Sequence, residues 1–171
     1  INTHHHGDHT GANLELKEKY GCQIVGPRLE QQRIPGIDQA VGDGDTFSLG
    51  NSVAKVYDVP GHTAGHNAYW FEDSDTLFCG DTLFALGCGR VFEGTHEQMW
   101  TSLDKLRGLP AATKIYCAHE YTEANLNFAL SVEPANSELV KRGNHIRALR
   151  VEGKPTVPSN MAEELLTNPF V

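Results

Sequence analysis

No apolar run in the 171 residues approaches the length of a membrane span, and no charged leader precedes the first motifs. Basic residues are few: 14 Lys and Arg stand against 22 Asp and Glu, a formal charge of −8. A nucleic-acid binder carries a basic footprint, so the balance argues against that class, and no membrane partner is expected. Cysteine is sparse too. Cys22, Cys79, Cys88 and Cys117 form no CxxC pair, which argues against a zinc finger and against a dense disulfide framework. Free thiols suit a reducing compartment, and a cytoplasmic location is expected. Internal repeats and low-complexity tracts are missing. The chain starts at Ile1 rather than Met, which raises the expectation of a fragment whose targeting signal is out of view.

What the sequence has in quantity is His, with 9, and Gly, with 17. The length suits one ordinary domain. Turn signals separate short apolar runs. Residues 12–20 read as a short helix ended by Gly21. Cys22–Val25 reads as a buried strand closed by Gly26-Pro27. Thr46–Leu49 and Val53–Val59 form a hairpin pattern, and Asn67–Phe71 and Thr76–Cys79 read as further strands. The period then changes. Met99, Trp100, Leu103 and Leu106 lie at helical spacing. Lys114–Ala118 is strand-like, Thr122 is placed to cap a helix through Val132, and Glu138–Val151 reads as another helix. Asn160 with Glu163 fits an N-cap and its N3 partner.

The densest chemistry is Thr3-His4-His5-His6-Gly7-Asp8-His9, in pattern His-x-His-x-Asp-His. It is no expression tag, because only three His are consecutive and structured sequence follows. His4 and His6, two apart at a strand end, are expected to point the same way, with Asp8 and His9 on a turn beyond. One short loop can then feed two metals. Imidazole and carboxylate ligands suit zinc, iron or manganese. Further ligands should come from other strand ends. Gly61-His62-Thr63-Ala64-Gly65-His66 follows one strand-like run, Gly80-Asp81-Thr82 a second and Ala118-His119-Glu120 a third. Loops past strand ends are where sheet proteins carry function.

The order of these motifs resembles the metallo-β-lactamase fold superfamily. Within it, three stretches resemble glyoxalase II, the hydroxyacylglutathione hydrolases. They are Cys79–Phe84 with Gly87–Thr95, Tyr116–Thr122, and Pro155–Ser159 leading to Asn168-Pro169-Phe170. The resemblance implies a four-layer αβ/βα sandwich, an α/β fold truncated at both ends. Residues 1–132 would be the metal-binding domain without its first strands. Residues 133–171 would begin a helical substrate-binding region.

The resemblance also implies a ligand set. His4, His6 and His62 would hold one divalent ion, Asp8, His9 and His119 a second, and Asp81 would bridge them. Zinc is the expected metal, with iron or manganese as alternatives. His5 and His66 fall at non-ligand positions, and His66 is expected to support a ligand. His96 and His145 are expected on the surface. The implied reaction is hydrolysis of S-D-lactoylglutathione to D-lactate and glutathione by a hydroxide held between the ions, with Asp8 and Asp81 in catalytic positions. Arg90 and Tyr121 match glutathione-contacting residues, and Phe92 stands where some relatives carry Tyr. Cys88 is not expected to be a nucleophile. A monomer acting on a small-molecule thioester is expected. The alternatives are another member of the superfamily, such as a one-iron persulfide dioxygenase, or an inactive metal-binding fragment.

Overall fold

The computed structural model describes residues 1–171. Its centre is a six-stranded mixed sheet. The chain reaches it after a single helical turn, α1 (Gly7–Thr10), then α2 (Asn13–Tyr20) and two short parallel strands, β1 (Val25–Pro27) and β2 (Gln39–Val41). A 3-10 segment, Arg28–Arg33, joins those strands. The meander β3 (Thr46–Leu49), β4 (Ser52–Asp58), β5 (Asn67–Phe71) and β6 (Thr76–Gly80) follows, antiparallel throughout. A small hairpin, β7 (Leu83–Phe84) with β8 (Gly87–Cys88), leads to α3 (His96–Arg107). Next, β9 (Lys114–Cys117) adds to the sheet parallel to β6. The helices α4 (Thr122–Val132) and α5 (Ser137–Val151) precede β10 (Ser159–Asn160), which edges the sheet, and α6 (Met161–Thr167) ends the chain.

Alternation along the strands sets the layers, because successive side chains leave a strand on opposite faces. On β5, Ala68 and Trp70 join Leu77, Cys79 and Ile115 against Met99, Leu103 and Leu106 of α3 and Met161 of α6. Tyr69 and Phe71 face the other way, packing with Ala54, Val56 and Phe47 against Val25 of β1 and Val41 of β2. The helix–sheet–sheet stacking is that of an αβ/βα sandwich in which β1 and β2 represent the second sheet. Burying a side chain such as Leu77, fully inaccessible here, contributes about 1.5–3 kcal/mol. The second face is open at one end, where Phe78 and Tyr116 stack at 5.3 Å and remain 42% and 37% exposed.

Several local readings shift. The first strand is Val25–Pro27 rather than Cys22–Val25, so Gly26-Pro27 lies inside it. Pro27 is tolerated because this is a short edge pair. Thr122 is the first residue of α4, with Tyr121 at the N-cap and no side-chain cap. Residues 1–6 form no strand. They are held instead by single hydrogen bonds, Asn2 N–H to Val25 O at 2.8 Å and Asn67 N–H to Thr3 O at 2.8 Å. Local pattern sufficed elsewhere: Gly21 closes α2 at φ +62°, and Asn160 Oδ1 accepts Glu163 N–H at 2.9 Å.

Candidate metal centre

Strands β4, β6 and β9 run the same way, since β4 and β6 are both antiparallel to β5 and β9 is parallel to β6. Their C-terminal ends therefore share one sheet edge. The loop carrying His62 leaves β4, Asp81 follows β6 and His119 follows β9. The Thr3–His9 segment crosses the same edge, because Asn67 at the start of β5 binds Thr3 O. Gly80 makes this crossing possible. It holds φ +51°, and a Cβ there would overlap Thr3 and stand 2.8 Å from the His66 ring.

The donor atoms of His4, His6 and His62 lie within 4.8 Å of one another, and so do those of Asp8, His9 and His119. Asp81 stands between the two groups. Its Oδ2 is 3.5 Å from His62 Nε2 and 3.4 Å from His119 Nε2, and its Oδ1 is 3.2 Å from His9 Nε2. Asp8 Oδ2 is 3.3 Å from His119 Nε2 and 3.5 Å from His9 Nε2. His4 and His9 also form a group with Asp81. Asp8 and His9 sit on α1 rather than on an open turn. Its helical backbone brings the His9 ring to 4.1 Å from the His4 ring and leaves Asp8 beside His119.

The donor set fits divalent cations. His6 Nδ1 faces His4 Nε2 at 3.0 Å and His62 Nε2 at 3.2 Å. One proton cannot serve both neighbours in good geometry, whereas a cation accepts all three lone pairs. Burial lowers the pKa of His4 and of His6, and the neighbouring imidazoles lower both further, so they stay neutral as ligation requires. His9 Nε2 and Asp81 Oδ1 are buried without a hydrogen-bond partner, close enough to attract but poorly aligned. Burial opposes charge on both. The mutual attraction of this pair outweighs it, raising His9 and lowering Asp81.

Supporting residues fix the ligands. His66 is fully buried, accepts Asp81 N–H through Nε2 at 3.1 Å and directs Nδ1 to Thr82 Oγ1 at 3.2 Å. Desolvation drops its pKa to about 3, with His62 adding to the fall, so it remains a neutral hydrogen-bonder. Other supports carried no sequence signal. Asn2 donates to His9 O at 2.8 Å, Asn13 donates to Asn2 Oδ1 at 2.8 Å, and Tyr69 OH donates to Asn2 O at 2.8 Å. These contacts join residues 7, 11 and 67 apart, a set with no fixed spacing. His96 and His145 are exposed, and neither lies in a potential ion-binding group.

A cavity of about 580 Å3 opens beside the cluster, lined by Arg90, Phe92 and Tyr121 together with Phe84 and Cys88. Tyr121 stacks on His119 at 4.9 Å, and Phe92 lies edge-on to His62 at 5.2 Å. The aromatic rings are apolar walls and Arg90 is the free cation among the residues named. Asp8 and Asp81 line the same cavity, so Arg90 gives it one anion-binding point beside the ligand cluster and the apolar walls.

Comparison with known proteins gives the same class. The model of the metallo-beta-lactamase superfamily matches residues 1–119, and the chain belongs to that superfamily. The fold holds divalent metal ions, consistent with the His and Asp groups here. The model of the hydroxyacylglutathione hydrolase C-terminus matches residues 120–171. A hydroxyacylglutathione hydrolase of Methylococcus capsulatus is 61% identical over 171 residues, 100% of this chain and 67% of the relative. One from Rhodospirillum rubrum is 53% identical with the same coverage. Within the superfamily, the chain belongs to the hydroxyacylglutathione hydrolases, which are hydrolytic enzymes, and spans about two thirds of the length of these relatives. Among solved structures, ETHE1 from Myxococcus xanthus superposes with TM-score 0.70 at 28% identity, covering 98% of this chain and 59% of that one. TTHA1623, solved in a di-iron-bound form, has the same fold, with TM-score 0.67 at 21% identity, covering 99% of this chain and 75% of that one.

Proposed function

We propose that His4, His6 and His62 hold one divalent ion, that Asp8, His9 and His119 hold a second with Asp81 between them, and that this centre hydrolyses S-D-lactoylglutathione to D-lactate and glutathione. The observation that carries the reading is the convergence of these donors on one sheet edge beside a cavity with a cationic and aromatic lining. The names of the most similar relatives support the substrate class. Zinc is the proposed metal, since neutral imidazole and carboxylate are its common ligands.

When bound, the ions supply an acidified water and positive charge beside the thioester carbonyl. The chain supplies the rest. Neutral imidazoles leave the centre positively charged overall, and Asp8 and Asp81 offset part of that charge and orient the attacking water. Arg90 binds a carboxylate of the glutathione moiety. Phe84, Phe92 and Tyr121 shield the reacting bond from bulk water. The leaving thiolate is a weak base, so no residue needs to protonate it. Burial pushes the Cys88 thiol up to about 11, which keeps it neutral and unsuited to nucleophilic attack.

We assign residues 1–132 to the metal-binding part and residues 133–171 to the start of a helical substrate-binding region. The two join through Leu126 and Ala129 of α4 against Leu139 and Ile146 of α5. No helix is long and apolar enough to cross a membrane, and we place the enzyme in the cytoplasm, where its free cysteines stay reduced.

The test is metal analysis with a thioester assay on the whole protein. About two ions per chain with turnover of S-D-lactoylglutathione are expected. One ion per chain without turnover would overturn the reading.

A further inference from the structure

Another titratable group lies beside the ligands: His5, Glu30 and Glu93, with donor atoms within 4.8 Å of one another. It is not shaped to hold an ion, because both oxygens of each carboxylate already accept N–H donors. Glu30 Oε1 accepts Gly65 N–H at 2.9 Å. Glu30 Oε2 accepts His5 N–H at 2.8 Å and His5 Nδ1–H at 2.7 Å. Glu93 Oε2 accepts Ala64 N–H at 3.0 Å, while its Oε1 accepts Arg33 Nη1–H at 2.7 Å and faces His5 Nε2 at 3.7 Å.

The cluster matters for what it joins. His5 lies between His4 and His6. Gly65 lies between His62 and His66. Glu30 comes from the 3-10 segment Arg28–Arg33, which contributes no ligand. Its side chain is only 2% exposed, and its one ion-pair partner is His5. A carboxylate so buried is costly unless N–H donors fill its oxygens. Here every donor belongs to one of the two ligand loops. The approach is close: a Cβ on Gly65 would stand 2.8 Å from Glu30 Cγ.

We propose that Glu30 is a positioning residue of the metal centre, a single buried carboxylate that clamps the His4–His6 loop to the His62–His66 loop. The inference rests on the two-ion reading above. His6 Nδ1 stands 3.0 Å from His4 Nε2 and 3.2 Å from His62 Nε2, so the ligand set depends on a close register between the two loops. Glu30 lies outside the ligand set and bonds to both loops, adding to the Asn67 N–H to Thr3 O bond between them. A loop pair held in advance loses less entropy when the ion arrives. Glu93 repeats the arrangement at the rim, where the greater exposure of its side chain makes it the weaker clamp.

The experiment compares zinc affinity, by chelator competition, in the whole protein and in its Glu30→Gln variant. An amide offers one acceptor oxygen, so Gln must turn its NH2 toward one of the two loops and release it. Zinc affinity should fall about ten- to a hundredfold, the range typical for residues that orient a ligand. At saturating zinc, kcat should fall with KM little changed, and Glu30→Asp should recover part of the loss. A Glu30→Gln protein that melts at a lower temperature but keeps wild-type zinc affinity would overturn the inference and leave Glu30 a merely structural residue. If Glu30→Gln does not fold, His5→Ala decides, since it removes one donor and leaves the carboxylate in place. A smaller fall in affinity is expected there, and an unchanged affinity overturns the inference. A wild-type protein that takes up no zinc, iron or manganese would overturn the two-ion reading itself, before any variant is compared.

Discussion

His62 donates its Nδ1–H to the backbone carbonyl of Arg90 across 2.8 Å. A carbonyl only accepts, so the bond assigns the proton to Nδ1 and leaves the Nε2 lone pair facing His6 and Asp81. It also ties a proposed ligand to the loop proposed to bind substrate.

The tie runs through the Arg90 backbone, so removing the side chain should spare the metal. In the whole protein, Arg90→Ala is expected to raise KM for the glutathione thioester about ten- to a hundredfold, the cost of one charged hydrogen bond. Metal content should stay at the wild-type level. Metal loss in this variant would show that Arg90 supports the centre rather than the substrate.

Asp81 is the carboxylate common to both proposed ligand groups. Asp81→Ala should lower the metal content and cut kcat by more than about a hundredfold, beyond the effect of losing a residue that merely orients a ligand. The metal-free variant should melt lower than metal-free wild type near neutral pH, because the attraction to His9 that outweighs burial and lowers the Asp81 pKa is lost. Elemental analysis and a melting curve measure the two effects.

Cys88 lines the cavity, yet its thiol is pushed up to about 11 by burial. The sign is direct: below that pH the thiol form dominates, and alkylation needs thiolate. Iodoacetamide at pH 7.5 should modify the exposed Cys22 first and Cys88 slowly, with Cys88 labelling rising as the pH approaches 11. Cys88→Ala should keep kcat within about twofold, because no step uses a thiol nucleophile. Peptide mass mapping and an assay check both.

Glu164 is fully buried and anchors the C-terminal helices to the cavity hairpin. It pairs with Arg142, accepts Leu86 N–H at 2.9 Å and accepts Asn168 Nδ2–H at 2.9 Å. Asn168 also donates to Phe84 O at 3.2 Å and Gly87 O at 3.1 Å. Leu86 sits at φ +59°, a backbone state that a leucine keeps only when its surroundings hold it. Glu164→Gln leaves the Arg142 guanidinium, only 9% exposed, without its counter-charge and should cost about 3–5 kcal/mol in urea unfolding. An unchanged midpoint would show that the pair is dispensable.

The sequence by itself determined the chemistry carried by local spacing. The His-x-His-x-Asp-His run, the His62 and Asp81 loops, the helix stop at Gly21 and the cap at Asn160 depend on neighbours a few residues apart, and short-range geometry suffices to read them. The αβ/βα class was legible through resemblance, although the first strand was placed at residues 22–25 instead of 25–27 and its parallel partner at residues 39–41 was not read. Three-residue strands carry too little periodicity to read. Which donors meet was implied by the resemblance alone, and the tertiary structure supplies the physical reason. β4, β6 and β9 share a direction and end at one edge, which follows from pairing across the sheet rather than from any segment. Only the tertiary structure decided that Glu30, an acidic residue in an unremarkable polar stretch, is buried between two His-bearing loops, 25 residues from His5 and 35 from Gly65. A carboxylate's burial and its partners are set by what folds over it, and no local pattern encodes that.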